Sequence, residues 1–141
     1  MKYLLDTNII SEFISKKPNK KVLDYVNSIN EESIYLSVIT IGEIRFGIEK
    51  LNSKEQSKKI ETLTKWLNQD LMLRFEGRIL NIDNKTMLKW GEVTAKLQKI
   101  GKPIPIMDSL IASSCLVNEL VLITRNSKDF YNFELEIINP F

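Results

Sequence analysis

Short apolar runs alternate with longer segments of helical periodicity along the whole 141-residue chain. The apolar runs predict strands at residues 2–6, 33–38, 78–82, 120–124 and 136–138. Between them, apolar residues recur at spacings of three and four and predict helices near residues 7–14, 22–29, 41–51, 60–71, 87–97 and 108–119. This alternation predicts an α/β fold: a central, mostly parallel sheet of four to five strands between two layers of helices, forming one domain over residues 1–141.

Acidic and amide side chains stand where these strands end or where neighbouring helices begin. Asp6 ends the first strand, Glu43 falls in the first turn of the helix after the second strand, and Asp108 opens the helix before the fourth strand. Asn126 and Asp129 follow the fourth strand. In open α/β sheets the functional crevice lies beyond the carboxyl ends of the strands, so we expect these side chains to meet there.

Each of these acids also has a structural interpretation. Asp6 or the following Thr7 can cap a helix, Thr40 and Glu43 have the spacing of a capping box, and Asp108 is a suitable N-cap. Asp129 can simply cap or solvate a turn. Capping does not require acids at one end of one sheet, however, and converging carboxylates repel each other unless a cation lies among them. Mg²⁺ and Mn²⁺ prefer such oxygen ligands.

The absence of histidine narrows the possible chemistry, since the chain contains none. This excludes Ser–His and Cys–His catalytic pairs and histidine-rich zinc sites. The one cysteine, Cys115, has no partner within the chain and lies among apolar residues, which predicts a small core residue and is compatible with a reducing cytoplasm. No apolar stretch approaches the length of a membrane span.

Four sequence blocks resemble the motifs of the PIN-domain family, in order: LLDTNIISE, ITIGEIRFG, PIMDSLIASS and ITRNSKDF. The spacing is similar to that of VapC-type toxins, particularly their FitB-like branch, and the closing INPF is similar too. The resemblance implies a PIN fold over the whole chain. It also implies that Asp6, Glu43 and Asp108 are metal-binding catalytic acids, with Thr7 and Asn8 beside them. Family members often carry a fourth acid where this chain has Asn126, which leaves the fourth catalytic position open between Asn126 and Asp129.

The activity implied by the resemblance is Mg²⁺-dependent endoribonuclease cleavage by the toxin of a type II toxin–antitoxin module, with Mn²⁺ able to substitute. A divalent ion held by Asp6 and Asp108 would activate water for hydrolysis, with Glu43 orienting or deprotonating that water, and the product would carry a 5′ phosphate. The implied partners are the RNA substrate, a VapB-type antitoxin and a second copy of the chain. The resulting higher-order complex would bind operator DNA through the antitoxin.

Two other functions are compatible with parts of the sequence. One is a catalytically inert PIN-like module that binds RNA or a protein partner. The other is a metal-dependent phosphatase of the aspartyl-phosphate type, in which a second acid usually stands where this chain has Asn8. The basic residues leave alternatives as well: Lys16, Lys17, Lys20 and Lys21 fit either RNA phosphates or a solvated loop. Arg125 fits a phosphate contact, whereas Trp66 and Trp90 fit helix packing better than base stacking.

Overall fold

The computed structural model describes residues 1–141 and contains a five-stranded sheet of order β3-β2-β1-β4-β5. Every neighbouring pair of strands is parallel, so the predicted mostly parallel sheet is confirmed. The strands are β1 (Tyr3–Leu5), β2 (Ile34–Ser37), β3 (Ile79–Leu80), β4 (Val121–Ile123) and β5 (Ile137–Ile138). Each is shorter than predicted, because the apolar runs continue into turns and helix starts after the ladder hydrogen bonds end.

Helices connect the strands and cover the sheet. They are α1 (Thr7–Ile10), α2 (Lys20–Asn27), α3 (Val38–Glu49), α4 (Ser57–Lys65), α5 (Met72–Arg74), α6 (Asn84–Lys99) and α7 (Ile106–Asn118). A 3₁₀ turn, Ser11–Ile14, extends α1, and two more lie at Glu31–Ser33 and Ser127–Phe130. A π-helical segment, Trp66–Leu71, joins α4 to α5, so the predicted helix over 60–71 is longer and less regular than expected.

Two separate apolar cores show that helices cover both faces of the sheet. In β1, Leu5 packs into one core and Leu4 into the other, because successive side chains of a strand point to opposite faces. The Leu5 core includes residues of α1 to α4, and the Leu4 core includes Ile111 and Cys115 of α7 and Leu97 of α6. The predicted three-layer α/β/α architecture is therefore confirmed.

Several side chains interpreted as structural take that role. Cys115 is buried, and burial raises the pKa of its thiol, so it is a core residue. Trp66 packs against the Leu5 core. The Trp90 indole N–H donates to the Ser109 hydroxyl at 2.9 Å and thereby ties α6 to α7. None of the helices is both long and apolar enough to cross a membrane.

Candidate metal centre

The central strand of the sheet places Asp6 at the middle of its carboxyl edge. Leu5 pairs with Ile123 of β4, and the Asp6 backbone N–H donates to the Ile123 carbonyl at 2.9 Å. On the other side, β2 pairs with β1 and leads directly into α3, which carries Glu43. Asp108 lies on α7, which runs back towards the start of β4 and therefore begins at the carboxyl edge. The topology thus brings three distant acids to one edge.

Asp6 is 5% exposed and its carboxylate accepts three hydrogen bonds. The Thr7 backbone N–H donates to Oδ1 at 2.8 Å, and this bond caps α1, as the structural interpretation of Asp6 predicted. The Thr124 hydroxyl and the Asn8 side-chain amide both donate to Oδ2, at 2.8 Å and 3.2 Å. Asp6 is therefore held in one orientation by neutral donors from two elements.

Burial raises the pKa of the Asp6 carboxyl above its ordinary value. The hydrogen bonds from Thr124, Thr7 and Asn8 stabilise the charged form and oppose this rise, while the negative charge of Asp129 adds to it. The net effect is a raised pKa, and no positively charged side chain contributes to it. The ionised Asp6 carboxylate therefore has no cationic partner within the protein.

Glu43 is held by Thr7 rather than by the end of its own helix. The Thr7 hydroxyl donates to Glu43 Oε1 at 2.6 Å, and the Thr40 hydroxyl lies 3.0 Å from that of Thr7. The predicted capping box is wrong, because α3 begins at Val38 and its N-cap is Ser37, whose hydroxyl accepts from the Ile39 backbone N–H at 3.0 Å. Glu43 is thus in the second helical turn, and its carboxylate makes a contact across elements.

Asp108 does not cap its helix, contrary to one prediction. The helix α7 begins at Ile106 after Pro105, which places Asp108 in the first turn, without a side-chain capping bond at Pro105. Burial, followed in decreasing order by the negative charges of Asp6, Asp129 and Glu43, raises the pKa of Asp108 to about 6. No hydrogen bond opposes the rise. The four acids therefore share one electrostatic environment.

The loop after β4 holds Asn126 and Asp129 at the rim of this environment. Both are exposed, and Asn126 precedes the 3₁₀ turn without a side-chain capping bond. The charge of Asp129 affects both Asp6 and Asp108, and at Asp108 its effect exceeds that of Glu43. Asp129 is therefore electrostatically linked to Asp6 and Asp108, and the predicted role of Asn126 or Asp129 at the fourth catalytic position stays a prediction.

The donor chemistry fits a hard divalent cation. Up to four carboxylates repel one another here, and the pKa values of Asp6 and Asp108 are raised chiefly by burial. A bound cation would lower both pKa values, because it stabilises ionised carboxylates. In the geometry present, no three acidic or cysteine side chains converge closely enough to enclose an ion. Asp6 and Glu43 are turned towards hydroxyl and amide donors instead. Enclosing a cation would therefore require side-chain rotation, most simply of Asp108, which accepts no hydrogen bond in this geometry, towards the fixed Asp6.

A sheet of this order with acids at its carboxyl edge invites comparison with known families. The family model of the PIN domain matches residues 3–134. The chain belongs to the PIN-domain family. It is similar to toxin FitB of Neisseria gonorrhoeae, with 33% identity over 98% of this chain and 97% of FitB. It is also similar to VapC ribonuclease Y4jK of Sinorhizobium fredii, with 30% identity over 98% of this chain and 96% of that protein.

Two solved structures have the same fold as this PIN domain. The structure of FitAB bound to an IR36 DNA fragment superposes with a TM-score of 0.89 at 30% identity, covering 98% of this chain and 94% of the other. The structure of VapBC2 from Rickettsia felis, bound to a DNA fragment from their promoter, superposes with a TM-score of 0.78 at 27% identity, covering 99% and 98%. The resemblance to VapC-type toxins and their FitB-like branch is thus supported over nearly the whole chain.

Thr124, a buried polar residue at the acidic site of this PIN domain, has no signal in the sequence pattern. Thr124 is fully buried and donates to Asp6. A threonine at the end of an apolar strand carries no local signal for such a role, because the contact joins residues 118 positions apart. The backbone N–H of the adjacent residue, Arg125, donates to Asn8 Oδ1 at 3.0 Å. The Arg125 guanidinium lies 4.9 Å from the centroid of the Phe141 ring.

Proposed function

We propose that this PIN domain is a Mg²⁺-dependent endoribonuclease and the toxin of a type II toxin–antitoxin module. The observation that carries the proposal is the cluster of Asp6, Glu43 and Asp108 at one sheet edge, with negative charges that raise the pKa of Asp108 on top of its burial. Similarity to a VapC ribonuclease over nearly the whole chain supports RNA as the substrate.

The three acids have different surroundings, and we assign different roles to them. Asp6 is fixed by three donors and serves as the anchoring ligand. Asp108 has no hydrogen bond lowering its pKa and is free to turn towards a cation as the second ligand. Glu43 is linked to the Thr7 hydroxyl through Oε1 and is placed to orient the attacking water or accept its proton.

A bound Mg²⁺ supplies Lewis acidity that activates water near neutral pH and offsets negative charge on the phosphodiester. The protein contributes the remaining parts of hydrolysis. Without histidine, carboxylates are the side chains at this site suited to accept a proton near neutral pH. Thr7 keeps one Glu43 oxygen engaged, which leaves the other oxygen for the water.

The direct test is cleavage of a structured RNA in Mg²⁺, in excess chelator, and with an Asp6→Asn variant. We expect cleavage only by the wild-type protein with Mg²⁺, because loss of a ligand costs at least about 100-fold in activity. Asp70→Asn is the matched control, since Asp70 is an exposed carboxylate in the π-helical segment. Wild-type protein that leaves RNA intact but hydrolyses a phosphate monoester would support the phosphatase alternative. Binding of RNA without cleavage would support the inert module.

The proposed partners follow from the related complexes. The related FitAB and VapBC2 complexes are bound to DNA fragments. We propose that this chain likewise binds a VapB-type antitoxin, forms a homodimer and binds operator DNA through the antitoxin. Co-expression with the neighbouring gene product, followed by size-exclusion chromatography and a mobility-shift assay, tests this. A complex that binds the operator only when both proteins are present is the expected result, whereas DNA binding by this chain alone would contradict the assignment.

A further inference from the structure

Thr124 is fully buried, caps no helix and contacts Asp6 directly through its hydroxyl. It follows β4 directly, and the pairing of Leu5 with Ile123 brings it next to Asp6. Its backbone N–H donates to the Ile138 carbonyl at 3.0 Å, which continues the contact between β4 and β5. Thr124 is therefore anchored by the sheet rather than by the loop that follows it.

The hydroxyl of Thr124 has three polar neighbours, and their chemistry defines the direction of each bond. The backbone N–H of Asn126 lies 3.0 Å away and the side-chain amide of Asn8 lies 3.4 Å away, and both groups only donate. A threonine hydroxyl has one proton and two acceptor sites. Its proton is therefore left for Asp6 Oδ2, at 2.8 Å. Every hydrogen-bonding capacity of the hydroxyl is used, so it has no freedom to rotate.

The same set of bonds links Asp6 to the loop that carries Asn126 and Asp129. Asn8 reinforces the link, because its amide donates to Asp6 while its carbonyl accepts from the Arg125 backbone N–H. Removing the Thr124 hydroxyl would leave Asp6 Oδ2 with only the longer Asn8 bond of 3.2 Å and leave the Asn126 N–H without this acceptor. Only the Thr7 bond to Oδ1 and this longer Asn8 bond would then restrain the orientation of the Asp6 side chain.

We infer that Thr124 is a positioning residue that holds Asp6 in the orientation needed to bind a divalent cation. The inference rests on the proposed function, since it concerns the same site. A merely structural role would affect stability alone, because removing any buried hydroxyl leaves its hydrogen-bond partners unsatisfied. A positioning role also affects cation affinity, because that affinity depends on the orientation of Asp6.

The chain offers a matched control for this distinction. Thr86 is also fully buried, and its hydroxyl donates to an aspartate, Asp83 Oδ1, at 2.7 Å. That pair lies at the start of α6, where Asp83 is the N-cap, and it is no part of the acidic cluster. Thr124→Val and Thr86→Val therefore remove equivalent buried hydroxyls at two different places.

The experiment measures Mn²⁺ affinity of each full-length protein from the electron paramagnetic resonance signal of free Mn²⁺, together with the melting temperature and the RNA cleavage rate. We expect Thr124→Val to weaken Mn²⁺ binding about 10- to 100-fold, as for other residues that orient metal ligands. Thr86→Val should lower the melting temperature to a similar extent and leave Mn²⁺ affinity unchanged. Thr124→Ser keeps the hydroxyl and should recover most of the affinity.

Three results would overturn the inference: wild-type Mn²⁺ affinity in folded Thr124→Val, equal weakening in Thr86→Val, or no Mn²⁺ binding by the wild-type protein. Failure of the proposed function gives a different pattern. If the wild-type protein binds Mn²⁺ but cleaves no RNA, and only Thr124→Val weakens binding, the positioning role is supported while the ribonuclease assignment fails.

Discussion

Neutralising Asp108 should stabilise the metal-free protein while abolishing RNA cleavage. Burial and the charges of Asp6, Asp129 and Glu43 raise the pKa of Asp108 from 3.8 to about 6. Since the pKa is higher in the folded protein than in the unfolded chain, ionising Asp108 destabilises the fold. Asp108→Asn removes this cost and keeps nearly the same side-chain shape.

The magnitude follows from the size of the shift. About two pKa units correspond to about 3 kcal/mol as an upper limit. Asp108 is half-buried, so solvent screening reduces this to about 1–2 kcal/mol. The first turn of α7 favours a negative charge by about 0.5 kcal/mol, which the substitution forfeits. The net expected gain in the free energy of unfolding is about 1 kcal/mol, or roughly 3–4 °C in melting temperature for a chain of this size.

The pH dependence gives the sharper test. Between about pH 4 and pH 6 the unfolded chain loses the Asp108 proton while the folded protein keeps it, so wild-type stability falls as the pH rises through this window. The advantage of Asp108→Asn should therefore be largest above pH 6 and nearly absent at pH 4. Melting curves in excess chelator at pH 4, 5, 6 and 7.5 measure it, with Asp70→Asn as the exposed control.

A second arm adds the cation. Saturating Mg²⁺ should raise the melting temperature of the wild-type protein at pH 7.5 and have little effect on Asp108→Asn, because one ligand charge is missing. The reasoning is refuted if Asp108→Asn is less stable than the wild-type protein at pH 7.5 in chelator. A stability gain that persists unchanged at pH 4 would also refute it, since the gain would then have no electrostatic origin.

Further substitutions probe separate parts of the structure. Glu43→Gln keeps an oxygen that can accept the Thr7 hydroxyl bond, so we expect lost cleavage with little change in melting temperature, and retained cleavage would leave Glu43 without a catalytic role. Asp129→Asn removes a charge that raises the pKa of Asp108, so the acidic limb of the cleavage-rate profile at limiting Mg²⁺ should move to lower pH; an unmoved limb would contradict the electrostatic link. Arg78→Met should cost about 2–4 kcal/mol of unfolding free energy without changing activity per folded molecule. The reason is that the largely buried Arg78 guanidinium donates to the Glu31 carboxylate and to the backbone carbonyls of Glu31, Ile34 and Arg74. Arg45→Met removes only an exposed pair with Glu49, and denaturant titration should show a cost below about 0.5 kcal/mol.

The prediction of helix starts was right at Asp6, which caps α1, but wrong near Glu43 and Asp108. Val38 and Ile39 are β-branched and continue the apolar run of β2, so nothing in the local pattern marks Ser37 as the N-cap of α3. At Asp108, an acid before an apolar run is typical of an N-cap, yet α7 begins two residues earlier, at Ile106. Helix ends depend on where the ladder hydrogen bonds stop and where the chain enters the sheet edge, and both are tertiary properties.

The fold class and the location of the acids were nevertheless determined by the sequence alone. Hydrophobic periodicity is a local property, and alternating strands and helices leave few topologies, so a parallel sheet between two helix layers follows. Parallel strands also end at one edge, which explains why Asp6, Glu43 and Asp108 were predicted to meet. Only the tertiary structure showed how each carboxylate is held. The Thr124–Asp6 and Thr7–Glu43 bonds and the raised pKa of Asp108 depend on burial and on distances of a few ångströms between residues far apart in the chain, which no local pattern encodes.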